Sequence, residues 1–294
     1  MAGNKEILKK VLGELPLTAE VYWLLRQSDR PLPSNFSLKH IRESLPEMIK
    51  TAARYRKDAQ PGKSIFLFAS THYWLEHTVI TGLALAGLGH KVTLGYYPYG
   101  RWHVESNQFD LRRQSMYANT VLKAAAPVMN PVNLMRNHSN FIQIPKDIQA
   151  GVDVVTGYDY MYAFQKEEVD TQEPFYTFRH DRNLNAAKSL YTFLRELKPD
   201  VAIIPNGTIL EFGVAYRTCR SLKIPTTTYE FSDKRNAMWL AQNDEVMKQN
   251  TDGLWNANAD YSLTPAELEE PKTLMSSSKN ASTYGDFSRK WQSI

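Results

Sequence analysis

The chain has 294 residues, 43% of them apolar, 22% charged and 12% aromatic, and a chain of that length buries roughly 70–75% of its unfolded surface when it folds compactly. These values exclude a disordered chain, a collagen-like repeat and a small disulfide scaffold. Its 35 basic and 31 acidic side chains leave a formal charge of +4, and the basic residues stand in twos and threes among acidic neighbours, as on a solvated surface and not as a track for nucleic acid.

The elements open with a helical prologue from Lys5 to Lys57. Its apolar residues recur at helical spacing: Ile7, Leu8, Val11 and Leu12, then Val21, Leu24 and Leu25, then Leu38, Ile41, Leu45 and Ile49. Prolines at 16, 31 and 33 break it into three helices, with Thr18 and Ser37 as candidate caps. The apolar stripes need a partner, so these helices are expected to cover the sheet domain or to form a homodimer contact. Pro61-Gly62 ends the prologue.

Ser64 to Ala69 is an apolar run without alternation, the pattern of a strand buried on both faces of a parallel sheet. A helix from Leu75 to Leu88, closed by Gly89, and a strand from Lys91 to Tyr96 complete one βαβ unit. Phe109 to Ala125 reads as helix, Pro127 to His138 as a long irregular crossing, Phe141 to Ile144 as a third strand and Lys146 to Val155 as a helix. Asn183 to Leu197 is an amphipathic helix, and the theme then repeats: strand Val201 to Ile204, helix Ile209 to Leu222, strand Pro225 to Phe231. The expected fold is an α/β, doubly wound, mainly parallel Rossmann-like sheet, with residues 64–69, 91–96, 201–204 and 226–230 as neighbouring parallel strands. A helical extension (1–57) precedes it, the α/β domain spans 58–272, and a polar linker (273–294) leads toward a further domain.

Cys219, the single cysteine, forms no intramolecular disulfide and reads as a buried core thiol. The longest uncharged stretch of interest, Thr78 to Gly89, holds twelve residues, short of the ~18–20 of a membrane span. The N-terminus has no apolar signal core, so the expected location is the cytoplasm.

Several motifs fail on spacing or context. Gly62-Lys63-Ser64 precedes a strand where a P-loop follows one, and His72 with His77 has the wrong spacing for zinc on one helix face. There is no Asp-x-Asp, no Gly-x-Ser-x-Gly and no glycine-rich dinucleotide turn, so neither metal nor cofactor is expected.

Doubly wound sheets gather ligands beyond the carboxyl ends of their strands. The residues there are polar and aromatic: Thr71, His72, Tyr73 and Trp74 after the first strand, and Tyr97, Tyr99, Arg101, Trp102 and His103 after the second. Asn206, Gly207, Thr208 and Glu211 follow the fourth strand, and Tyr229, Glu230, Arg235, Trp239, Gln242 and Asn243 belong to the fifth. Such a rim suits a sugar, whose hydroxyls take hydrogen bonds from amides and carboxylates while its C–H face stacks on an aromatic ring.

Gly82-Leu83-Ala84-Leu85-Ala86-Gly87-Leu88-Gly89-His90-Lys91-Val92-Thr93 resembles the helix-to-strand signature of the N-terminal domain of GT-B glycosyltransferases. Lys198-Pro199-Asp200-Val201 and Leu222-Lys223-Ile224-Pro225 are also usual there. The segments Pro205 to Glu211, Thr228 to Phe231, Trp239 to Asn243 and Glu245 to Met247, with Ile144 to Gln165 and Arg179 to Asn183, resemble a bacterial family of capsular-polysaccharide-type glycosyltransferases over most of residues 60–256. Where that family has Asp-Gln-Arg, this chain has Asp233-Lys234-Arg235.

The resemblance implies the acceptor-side domain of a transferase. A saccharide acceptor would sit here, and the nucleotide-sugar donor would be held mainly by a second Rossmann-like domain missing from this chain, leaving the chain alone a weak binder of free nucleotides and inactive by itself. His72 is the favoured proton acceptor, with Glu211 and Glu230 as substitutes. Thr71, Tyr99, Arg101, Asn206, Gly207, Thr208, Tyr229, Arg235, Trp239 and Asn243 would bind substrate. The alternative is a non-catalytic carbohydrate-binding or scaffolding module using the same rim.

Overall fold

The computed structural model describes residues 4–26, 36–137, 142–232, 237–248 and 250–279. A six-stranded sheet has the order β3-β2-β1-β4-β5-β6. The strands are β1 (Ser64–Ser70), β2 (Lys91–Tyr97), β3 (Asn130–Asn133), β4 (Val201–Pro205), β5 (Thr226–Phe231) and β6 (Met238–Gln242). The first five are parallel, and β6 runs antiparallel to β5. Ile65 pairs with Val92 on one side and Val201 on the other, so the four apolar runs are neighbouring parallel strands as the sequence predicts.

The missing alternation in β1 has a direct cause. Ile65, Leu67 and Ala69 face one core, formed with helices α3 (Lys39–Arg56), α4 (His72–Gly87) and α5 (Gln108–Leu122). Phe66 and Phe68 face the other, formed with α6 (Lys146–Phe164), α7 (Pro174–Leu197) and α8 (Leu210–Ser221). Both faces of the strand are apolar because both are covered. The chain leaves β1 toward the first layer and β4 toward the second, so the switch in winding falls between adjacent strands β1 and β4.

Helices α1 (Asn4–Glu14) and α2 (Thr18–Arg26) cover α5, one of the two outcomes expected for the prologue. Lys9 bonds Asp110 at 2.9 Å, Arg112 pairs with Glu20, and Tyr22 meets Phe109 edge-on. Ser37 accepts the Lys39 amide at 3.2 Å, but Thr18 turns its hydroxyl toward the Leu15 carbonyl instead of capping α2.

Two expectations about strands are corrected. The third strand is not Phe141 to Ile144, of which the described residues 142–144 lie outside any strand, but Asn130–Asn133, inside the stretch read as irregular. Pro131 is tolerated because β3 is an edge strand with a single neighbour, β2. The strand β6 was not expected, and it too lies at an edge with most of its side chains exposed. After the sheet come α9 (Asp252–Ala257) and α10 (Pro265–Lys279), the latter reaching into the first residues of the stretch expected as a linker, of which 280–294 lie outside the described residues.

Gly89 closes the turn into β2 with φ +93°, and its carbonyl accepts the Gly62 amide at 3.0 Å. A Cβ there would lie 2.2 Å from the Gln60 carbonyl oxygen. Gly89→Ala should therefore cost about 2 kcal/mol or more in urea unfolding; an unchanged midpoint would contradict this backbone constraint.

Candidate functional site

The ends of β1 and β4 converge. Ser70 closes β1, Glu211 stands in the first turn of α8, and the Ser70 hydroxyl donates to a Glu211 carboxylate oxygen at 2.6 Å. The other Glu211 oxygen lies 3.0 Å from Arg179 Nη1 and 2.7 Å from Arg182 Nε. Arg179 also donates from Nε to Asp159 at 2.9 Å, from Nη2 to Asn183 at 3.0 Å and from Nη1 to the Trp102 carbonyl at 3.2 Å. Asp159 takes the Leu210 amide at 2.6 Å, which ties α6 to the entry of α8.

This network is buried, and its charges are set by competing effects. Burial would raise the Glu211 carboxyl, but the guanidinium groups of Arg182 and Arg179 and the Ser70 hydroxyl outweigh it and hold it down at about 2. Burial pushes the Asp159 carboxyl up, opposed by Arg179, Asn183 and the Leu210 amide. Glu211, expected among the bases, is instead an ion-pair anchor, since a carboxylate held so low accepts no proton near neutrality. Sequence reading missed Asp159, Arg179 and Arg182 as members of this network. The available signal is on α7, where Arg179, Arg182 and Asn183 continue the stripe of Ala186, Leu190 and Leu194, so charged residues occupy a core-facing row.

Beside the network lies the β4 turn. Asn206 at φ +57° and Gly207 at φ +81° bend the backbone sharply, and a Cβ on Gly207 would lie 2.5 Å from Thr228 Cγ2. The Asn206 side-chain oxygen accepts the amides of Thr208 (3.0 Å) and Ile209 (3.2 Å), while its Nδ2 donates to Glu230 at 3.0 Å. The second Glu230 oxygen accepts the Phe231 amide at 3.1 Å. Glu230 is half-buried and stands opposite Trp239 across the β5–β6 pair, and Trp239 is 46% exposed.

An aromatic wall backs this turn. Trp74 stacks on Phe231 at 5.1 Å and meets Phe212 and Tyr229 edge-on. His77, which sequence reading weighed only against zinc, lies with Nδ1 3.1 Å from the Tyr229 hydroxyl. His72 begins α4, is half-buried between Phe36 and Tyr73, and has no hydrogen-bond partner at Nδ1 among the described residues. Burial lowers its imidazole below the usual value, with Glu76 opposing, which favours the neutral ring.

The structure groups the expected residues unevenly. Asn206, Gly207, Glu230 and Trp239 form one cluster, and Tyr99 and Arg101 meet the Glu211 network through Arg182. Tyr229, expected to offer a stacking face, is only 2% exposed, and Tyr99, expected to bind substrate, lies buried under the Arg182 guanidinium. Thr71 is buried. Asn243 is not in the cluster: its amide donates to the Thr226 carbonyl at the amino end of β5, because the antiparallel β6 carries the chain to the opposite sheet edge. Arg235 lies outside the described residues.

An open pocket of about 490 Å³ sits near that opposite edge, lined by Asp147, Gly151, Tyr216, Arg217, Arg220 and Glu245. Its arginines are already engaged, Arg217 by Glu245 at 3.0 Å and Arg220 by Asn243 at 2.9 Å, so the carboxyl edge remains the candidate site. Cys219 is buried, and burial pushes its thiol up to about 12, which leaves no thiolate nucleophile. Among the described residues no helix is long and apolar enough to cross a membrane, and no three His, Cys, Asp or Glu side chains are grouped to hold a metal ion.

In comparisons with known proteins, no family model and no curated protein matches the chain.

Proposed function

We propose that this chain is the acceptor-binding α/β domain of a GT-B-type glycosyltransferase, holding a saccharide or other hydroxyl-bearing acceptor at the carboxyl edge of its sheet. The donor would be a nucleotide sugar bound mainly by a further domain, and the product a surface polysaccharide. The observation that carries the reading is the hydrogen-bonded Asn206–Glu230 pair facing the exposed ring of Trp239. An amide and a carboxylate orient hydroxyls while an indole stacks on a sugar's C–H face. His72 and Glu230 are then the available proton acceptors.

The locked carboxylate of Glu211 favours a second reading, a binding module without chemistry, because it removes one of three expected bases. Calorimetric titration with a panel of neutral and acidic oligosaccharides tests what the two readings share. At least one member should bind, and Trp239→Ala should weaken it about tenfold, the equivalent of ~1.4 kcal/mol. If no member of the panel binds, both readings fall.

A further inference from the structure

Only one face of helices α1 and α2 is covered. The inner face rests on α5: Gly13 comes so close that a Cβ on it would lie 2.7 Å from the Phe109 amide nitrogen, Lys9 pairs with Asp110, and Trp23 meets Tyr117 edge-on. The face turned the other way is aliphatic. Ile7, Leu8 and Val11 form a stripe along α1, Val21, Leu24 and Leu25 form another along α2, and all six are 51–75% exposed. Leu15 and Leu17, in the turn between the helices, are exposed as well and carry the apolar surface from one helix to the other. A helix that meets only water on its outer side places polar residues there.

Area and charge point to what covers this face. The eight aliphatic side chains together expose a surface on the order of 800 Å², the share that one partner brings to an interface of standard size and more than the ~300–600 Å² of the largest patch on a typical monomer. Among residues 7–26 the exposed charges are Lys10, Glu14 and Arg26. They are few and of both signs, so the surface can meet its own copy in a self-complementary contact without net repulsion. A lipid surface would call for a basic face beside the apolar one, which these three charges do not supply. Nor does the following chain set out from this side. It leaves the sheet at β6, whereas α5 leads into β3 at the opposite edge.

We infer that the outer face of α1 and α2 is the two-fold contact of a homodimer, each copy laying its aliphatic stripes against those of the other. The same two helices then serve both fates expected of the prologue, the inner face covering α5 and the outer face joining the copies.

Sedimentation equilibrium of the whole chain tests this, and the mass should be twice the 33.7 kDa of one copy. Leu8→Glu and Leu24→Glu place a charge on the outer face and leave the contacts with α5 in place, and each should raise the dissociation constant of the dimer about 30-fold or more. Leu88→Glu, the same change on an exposed leucine just ahead of β2, should leave the dimer as it is. Hydrogen exchange needs no variant: the amides of residues 4–26 should exchange more slowly as wild-type protein is concentrated from monomer to dimer. A wild-type chain that stays monomeric overturns the inference, and if that monomer floats with vesicles of phosphatidylcholine and phosphatidylglycerol, the face belongs to a lipid surface instead. A dimer that survives both glutamate variants, or that Leu88→Glu breaks as readily, places the contact elsewhere and overturns it too.

Discussion

Glu211→Ala should cost about 3–5 kcal/mol of stability. The carboxylate faces two guanidinium groups in a site that is closed to water, and its removal leaves Arg179 and Arg182 buried with one anion, Asp159, between them. Desolvating an unpaired charge costs far more than a surface ion pair returns, so the loss should exceed that of any exposed pair, such as Lys272 with Glu269. Urea unfolding at pH 7 reads the difference. The pH dependence has a definite sign. A carboxyl held at about 2 in the folded chain, against 4.5 ordinarily, contributes stability that is complete above 4.5 and is lost as the pH falls through about 2. Asp159 has the opposite sign, because burial raises it and its protonation in acid relieves the fold. Wild-type protein should therefore lose stability between pH 4.5 and 2, and Glu211→Gln should lack that component. A variant as stable as wild type at pH 7 would show that the pair is not what anchors α7 to α8.

If the transfer reading is right, His72→Ala should reduce turnover by about 10²- to 10⁴-fold in the protein that carries the donor domain. A general base must be unprotonated to act, and burial lowers the His72 imidazole below 6.5, so the neutral ring dominates at pH 7. The rate should then rise with pH to a plateau whose midpoint lies below 6.5. Glu230→Gln keeps the Asn206 contact through the amide oxygen and should act mainly on KM. Unchanged turnover in His72→Ala with collapse in Glu230→Gln would move proton acceptance to Glu230. Unchanged turnover in both would leave binding without chemistry at these residues.

Much of the fold is legible in local pattern. The runs at β1, β2 and β4 announce strands buried on both sides, since a parallel sheet between two helical layers covers both faces of a strand, and β5, rich in threonine, follows from the repeated strand-helix-strand order. From those four strands the position of the carboxyl edge follows, and with it the placement of Asn206 and Glu230 together. The edge strands are not legible in this way. Asn130-Pro131-Val132-Asn133 has poor strand propensity, and it is extended because β2 offers an unpaired ladder beside it.

The site divides along the same line. The sequence by itself determined which residue types stand beyond which strand, because that depends only on where each apolar run stops. Only the tertiary structure decided their roles. Asp159, Arg179 and Glu211 are separated in the chain and would each read as solvated, but the packing of α6, α7 and α8 at one end of the sheet removes their water and forces them to neutralise one another. Trp74 and His77 of α4 close the ring of Tyr229, and the antiparallel edge strand β6 leaves that of Trp239 open and carries Asn243 to the far edge. Burial and strand direction are properties of the assembled layers, and no local stretch of residues contains them.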